Sequence, residues 1–190
     1  MIWFYMGFYK IPSEAMDWQV TNIVAVGKID VAGKSLQEIY EKLDNALYNP
    51  NVFPAIRIFY DYGEGRKVSI LLFASRKFVV AGAKNYKEVE RTVKDLVKKL
   101  KAKLEWLEIV NVVALLDTGR KIDVERASME LENVMYEPSI FPGLVVRLGN
   151  GVAGLVFYSG RVVLAGNKSV EDVERNAENV YRMLSRFFYE

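Results

Sequence analysis

The side chains that usually carry covalent or metal chemistry are missing from this sequence. It has no cysteine and no histidine, which removes thiolate and imidazole ligands, disulfides, Cys and His nucleophiles and the commonest general base together. Carboxylate-bound magnesium and Ser–Lys chemistry stay formally open, but there is no Walker loop, no dinucleotide-binding glycine fingerprint and no tight carboxylate cluster. The residue types argue against an enzyme and call for no cofactor and no metal. What remains is a set of Phe, Asn, Val, Lys and Arg residues that return at near-constant spacing, and such residues build binding surfaces.

The recurrence is an internal repeat. Asn22-Ile23-Val24-Ala25 returns as Asn111-Val112-Val113-Ala114. Tyr48-Asn49-Pro50-Asn51-Val52-Phe53-Pro54 returns as Tyr136-Glu137-Pro138-Ser139-Ile140-Phe141-Pro142. The stretch Phe73-Ala74-Ser75-Arg76-Lys77, running on to Gly82-Ala83-Lys84, returns as Phe157-Tyr158-Ser159-Gly160-Arg161, running on to Gly166-Asn167-Lys168. The spacing slips from 89 (Asn22 to Asn111) to 88 (Phe53 to Phe141) to 84 (Phe73 to Phe157). The losses fall between the paired motifs, as loop deletions do. Units of this length are too long for a solenoid and imply a duplicated α/β module with pseudo-two-fold symmetry.

Each unit needs the same elements to position these residues. Thr21–Gly27 alternates like a strand. Ser35 with Glu38 makes a capping box, and Leu36, Ile39, Tyr40, Leu43 and Leu47 predict a helix that Tyr48-Asn49-Pro50 stops. Strands follow over Pro54–Tyr60, Lys67–Ser75 and Phe78–Ala83, with a hairpin loop at Asp61–Gly65 and a tight turn at Ser75–Lys77. Asn85 with Glu88 opens a long helix to about Lys101, and Ser169 with Asp172 opens its counterpart. Ala102–Glu108 reads as the connector, and the second unit starts again at Ile109. One continuous antiparallel sheet with helices on one face leaves the other face bare. Phe73, Ser75, Lys77, Val79 and Ala81 share that bare side if the alternation holds through the turn, with Leu72, Ala74, Phe78 and Val80 on the covered side. Phe157, Ser159, Arg161, Val163 and Ala165 share the corresponding side of the second unit. An uncovered apolar face rimmed by cations is a binding surface.

These motifs, together with Ile109-Val110-Asn111-Val112-Val113-Ala114, Phe141-Pro142-Gly143-Leu144 and the two Phe-x-Ser-x-Lys/Arg segments, resemble the TATA-binding protein family, of archaeal type, over roughly residues 20–187. The resemblance implies an α+β saddle: one continuous curved antiparallel sheet of about ten strands, with four helices on the convex face. It implies an N-terminal extension at 1–19 and repeats at 20–104 and 105–190. It implies a general initiation factor that lies in the minor groove of A·T-rich DNA and inserts Phe53 with Phe73, and Phe141 with Phe157, between base steps. Asn22 and Asn111 match the donors to the minor-groove acceptors. Val24, Val79, Val113, Val163, Leu71, Leu155, Ala81 and Ala165 match the groove floor. Arg57, Lys77, Arg147, Arg161, Lys84 and Lys168 match phosphate contacts, and Glu137 a contact to transcription factor B. The partners so implied are double-stranded promoter DNA, transcription factor B and, through it, RNA polymerase; free chains can pair through the concave face.

Three positions depart from the family pattern. Ala81 and Ala165 stand where threonine is usual, Phe59 stands where an arginine corresponding to Arg147 is expected, and Ser139 replaces a second acidic residue beside Glu137. They keep open the alternative of a divergent paralogue, a regulatory or protein-interaction module with weak or relaxed DNA specificity. A third reading is an unrelated duplicated α/β fold with a small-molecule site.

Composition sets the remaining bounds. At 190 residues, 51% hydrophobic and 26% charged, the chain is ordinary for a globular protein. Its net charge is +2, so a DNA-binding surface has to arise from segregation of charge. Met1–Tyr9 is apolar and aromatic but too short to span a bilayer, with no basic segment before it and no cleavage site. It is expected to pack on the body or against a partner. The expected setting is intracellular: the nucleoid or cytoplasm of a prokaryote, an archaeon by the resemblance and a thermophile by the lack of Cys and scarcity of Gln, or the nucleus of a eukaryote.

Overall fold

The computed structural model describes residues 16–189 and the backbone of Tyr9 and Lys10. A two-residue strand, β1 (Tyr9–Lys10), pairs antiparallel with the start of the next strand, Tyr9 opposite Trp18. The rest of Met1–Tyr9 lies outside the described residues. From there each repeat lays down one order of elements. The first gives β2 (Asp17–Asp30), α1 (Leu36–Tyr40), β3 (Ala46–Leu47), β4 (Ala55–Asp61), β5 (Lys67–Phe73), β6 (Lys77–Ala83) and α2 (Tyr86–Leu100). The second gives β7 (Lys103–Asp117), α3 (Val124–Glu130), β8 (Val134–Met135), β9 (Leu144–Gly149), β10 (Val152–Val156), β11 (Arg161–Asn167) and α4 (Val170–Leu184), closed by a 3-10 turn at Ser185–Phe187.

The chain resolves into two compact units: Asn22–Asn111, and the residues up to Thr21 together with those from Val112. In the first the strand order is β3-β4-β5-β6-β2, in the second β7-β11-β10-β9-β8, and the neighbours pair antiparallel. The class is α+β. Period-two alternation decides which face each residue takes. Along β5 and β6, Val68, Ile70, Leu72, Phe78 and Val80 are buried, while Ser69, Leu71, Phe73, Val79 and Ala81 are half-exposed. On β10 and β11, Val152, Val156, Val162 and Leu164 are buried and Leu155, Val163 and Ala165 half-exposed.

The long helices supply the other half of each core. Val89, Val93, Leu96 and Leu100 of α2, and Val173, Ala177, Val180 and Leu184 of α4, are buried at helical spacing, each large side chain contributing about 1.5–3 kcal/mol of burial. Asn85 caps α2, its side chain accepting the Glu88 N–H at 2.9 Å, and Ser169 caps α4, accepting the Asp172 N–H at 3.1 Å. Both helices therefore begin where the capping residues expected them.

Four segments differ from the sequence reading by more than one residue. The helix opened by Ser35 ends at Tyr40 instead of reaching Leu47. Asn45 donates its side-chain amide to the Phe59 carbonyl and accepts the Phe59 N–H at 2.9 Å, so the edge of β4 captures the chain as β3, with Leu47 opposite Arg57 and exposed. The strand expected over Thr21–Gly27 extends over Asp17–Asp30. The connector expected at Ala102–Glu108 is strand from Lys103 onward; Lys103–Trp106 is exposed and so gives no buried alternation to read. Finally, β5 stops at Phe73, where the Arg76 N–H turns back to the Phe73 carbonyl at 2.9 Å. Ala74 is thus an exposed turn residue and not part of the covered face.

Candidate nucleic-acid interface

Two loops of one design carry the first phenylalanine of each pair. The N–H groups of Val52 and Phe53 both donate to the Asn49 carbonyl, at 3.0 and 2.9 Å, and those of Ile140 and Phe141 both donate to the Glu137 carbonyl at 2.9 Å. The second phenylalanine of each pair ends a strand or opens the turn that follows it. In the first unit Phe53 and Phe73 meet edge to face with ring centroids 6.2 Å apart; in the second Phe141 and Phe157 do so at 5.8 Å. Phe53 is 39% exposed, and Phe73, Phe141 and Phe157 are half-exposed. Gly143 leaves room for the second pair: a Cβ there would lie 2.7 Å from Phe141 Cε1 and 3.1 Å from Phe157 Cε1.

Between each pair and the middle of its sheet the open face is aliphatic. Cross-strand register sets Arg57, Leu71, Val79 and Val26 in one row and Phe59, Ser69 and Ala81 in the next. The second unit aligns Val145, Leu155, Val163 and Leu115, then Arg147, Ala153 and Ala165. Val24, Val113 and Asn111 are half-exposed on β2 and β7. Asn22 is fixed by a specific bond: its Oδ1 accepts the Gly82 N–H at 2.8 Å. An N–H can only donate, so the amide plane is determined and Nδ2 is the end left to face an acceptor.

That bond depends on a bulge that the sequence reading missed. Ile23 pairs with Ala83 but Ala25 with Val80, so β6 carries an extra residue there. Gly82 sits at φ +95°, and a Cβ on it would lie 2.6 Å from the Lys67 carbonyl oxygen. The same irregularity separates Leu164 from Asn167, with Gly166 at φ +94°. Two glycines following strand residues at repeat-equivalent positions were the available signal.

The charged rim differs between the units. Arg57 lies one row closer to the phenylalanines than Arg147 does, a displacement of about 7 Å along a strand. Its guanidinium carbon is 5.9 Å from the Phe59 centroid, and Lys67 Nζ is 6.0 Å from the same ring. Lys77 is exposed and stands opposite Lys28 in register, and Lys28 Nζ is 2.8 Å from a Glu105 carboxylate oxygen. In the second unit Arg161 stands opposite Asp117, with Nε 3.9 Å from Oδ2. Lys28 and Lys67 escaped the sequence reading, although Lys28 continues the alternation of Asn22, Val24 and Val26. Lys84 and Lys168 are exposed just before the long helices, where their N–H groups donate to Glu88 and Asp172 at 2.9 and 3.3 Å. Glu137 and Ser139 are exposed on the Phe141 loop. Among the described residues no group of carboxylates is arranged to hold a metal ion, and no helix is long and apolar enough to cross a membrane.

Comparison with known proteins finds the same duplication. The family model described as transcription factor TFIID, or TATA-binding protein, matches residues 17–103 and again 106–187. A TATA-box-binding protein of Pyrobaculum aerophilum is 35% identical over 179 residues, covering 90% of this chain and 88% of that protein. One from Pyrococcus horikoshii is 33% identical, covering 89% of this chain and 90% of its own length. Among solved structures, Methanococcus jannaschii TBP superposes with a TM-score of 0.78 at 33% identity, over 89% of this chain and 98% of that one.

Proposed function

The chain belongs to the TATA-binding protein family, and from that premise we propose that it is an archaeal-type transcription initiation factor that binds the minor groove of TATA promoter DNA and kinks it with its two phenylalanine pairs. The family is one of DNA-binding transcription factors and not of enzymes. The observation that carries the kinking role is the pairing itself: two edge-to-face phenylalanine pairs, at repeat-equivalent positions, left partly exposed at the end of an aliphatic sheet face.

The physical steps follow from these residues. Each ring pair enters between base steps and unstacks them at a cost of a few kcal/mol per step, offset by contact along the bent duplex. Steps such as TA unstack most easily, which favours TATA at positions that need no hydrogen bond. The Leu71–Val79 and Leu155–Val163 rows face the groove floor, where guanine's exocyclic amine would meet carbon and lose its partner. Asn22 Nδ2 donates to adenine N3 or thymine O2, acceptors that A·T and T·A share. Arg57, Lys77, Arg147 and Arg161 meet phosphates. A bend on the order of 80° is a family value and does not come from this chain. Glu137, on the loop that carries Phe141, offers a carboxylate to transcription factor B, which brings in RNA polymerase. The setting is the nucleoid of an archaeal cell.

Titration of a TATA duplex and a G·C-substituted control at several salt concentrations tests this function. The TATA duplex should bind at least ten-fold more tightly, with end-to-end energy transfer showing the bend. Equal affinity for both would overturn it in favour of a second reading, a paralogue of relaxed specificity, which Ala81, Ala165 and Phe59 favour because each removes a polar or charged contact.

A further inference from the structure

The turn that carries Phe157 is held from outside itself by more than the turn that carries Phe73. The two turns share one tie: the Thr118 N–H donates to the Gly160 carbonyl at 3.0 Å, as the Ile29 N–H donates to the Arg76 carbonyl at 3.1 Å. The second unit then adds others. Thr118, fully buried, also shares its one hydroxyl proton between the Gly160 and Arg120 carbonyls, each 2.9 Å away, and the Ile122 N–H donates to the Tyr158 carbonyl at 2.9 Å. The end of the chain reaches the same place. The Asp123 N–H donates to the Phe187 carbonyl at 2.9 Å, the Tyr189 N–H to the Lys121 carbonyl at 3.0 Å, and Arg120 Nη2 to the Tyr189 carbonyl at 2.7 Å. These bonds lay Phe187–Tyr189 antiparallel on Lys121–Asp123, with Ile122 opposite Phe188. Phe187 anchors the segment in the core, and the Tyr189 ring meets the Tyr158 ring edge to face at 5.7 Å. Lys121 Nζ lies 5.5 Å from the Tyr158 ring centroid.

We propose that the C-terminal segment Phe187–Tyr189 is a brace for the Phe157 turn, with Tyr189 a positioning residue for the second phenylalanine pair; this rests on the wedge function proposed above. An inserted ring bears the reaction of the base pairs it separates, and a four-residue turn alone yields to that load by rotating its peptide planes. Pinning the Tyr158 carbonyl and its ring removes that freedom next to Phe157. In the first unit the residue at the position of Tyr158 is Ala74, which has no ring to hold, and the added tie is the Arg76 side chain bonded to the Lys34 carbonyl. The two kinks therefore differ in stiffness, the second being the more persistent.

The test uses the full chain and TATA duplexes with 2-aminopurine, whose fluorescence rises on unstacking, at one or the other outer step. Phe157→Ala identifies which end the second pair occupies. With the parent chain both ends should brighten. Tyr189→Ala should leave the first-pair end unchanged and lower the ratio of inserted to restacked base at the second-pair end roughly two- to ten-fold, the scale of one edge-to-face aromatic pair. Tyr189→Phe, which keeps the ring, should behave as the parent. Thermal melting checks folding, and the exposed Tyr158→Ala is the second variant should Tyr189→Ala fail to fold. Equal loss at both ends, or no loss at either, overturns the brace alone. No brightening with the parent chain overturns the wedge function and the brace with it.

Discussion

Asn22 uses the two ends of one amide for two purposes. Its oxygen accepts the Gly82 N–H, and its nitrogen is the donor proposed to read the minor groove. The two purposes can be separated by substitution. Asn22→Asp keeps an acceptor for Gly82 but replaces the donor with a charge facing an acceptor, so thermal stability should change little while TATA affinity falls at least ten-fold. Asn22→Ala removes both groups and leaves the Gly82 N–H without that acceptor, adding about 1–3 kcal/mol of destabilisation. Melting curves beside duplex titration distinguish these variants, and equal stability loss in both would contradict the separation. Ala81 and Ala165 raise the opposite question, because they lack a hydroxyl on a half-exposed face. Threonine at both should tighten TATA binding several-fold by titration, on the scale of a net hydrogen bond; no gain would mean that these positions stay clear of the bases.

The bulge in β6 is what presents Asn22, and it exists because residue 82 is glycine. Gly82→Ala would place a Cβ against the Lys67 carbonyl at a positive φ, costing about 1–3 kcal/mol if the bulge is kept. If the strand straightens instead, Asn22 loses its partner and TATA binding falls with stability. A variant as stable as the parent would show that the bulge is not strained by a side chain. Helix α2 makes a prediction about acid. Burial raises the Glu88 carboxyl, but the bonds from Arg66, at 3.1 and 2.9 Å, and from the Lys84 N–H outweigh it, so the group titrates below its ordinary value. Its stabilisation is present above the carboxylate range and is lost as pH falls through the folded value. Glu88→Gln should lower stability by about 1–3 kcal/mol near neutrality, and its melting temperature should converge on the parent's in acid. The capping residues that begin α2 and α4 were legible because a cap is local: Asn85, Glu88, Ser169 and Asp172 act within one turn. The end of α1 was not legible, because Leu36 to Leu47 keeps helical spacing while Asn45 is claimed by Phe59, fourteen residues on. The start of β7 was missed for a related reason, since Lys103–Trp106 has no buried face. The phenylalanine pairs were legible as paired motifs, yet the Gly82 to Asn22 bond spans sixty positions and needed the register.

Across the whole molecule, 26 basic residues against 24 acidic ones leave almost no net attraction for DNA, so salt dependence has to come from where the cations stand. They are not confined to the sheet rim. The outer side of α2 exposes Lys87, Arg91, Lys94 and Lys98, whereas the minor-groove complex proposed above assigns the phosphate contacts to the rim residues. The two rims are unequal. Lys77 faces a second cation, Lys28, which Glu105 partly neutralises, whereas Arg161 faces Asp117. A phosphate that recruits Arg161 competes with a carboxylate already beside it, and so releases less counterion per contact. Lys77→Ala should flatten the plot of log affinity against log salt by about 0.9, and Arg161→Ala should flatten it by clearly less. Asp117→Asn should steepen the slope and tighten binding most at low salt. Equal slopes for the two alanine variants, with Asp117→Asn like the parent, would mean that exposed Asp117 gives up its partner at no cost. In that case the difference between the rims would lie in the placement of Arg57 and Phe59 alone.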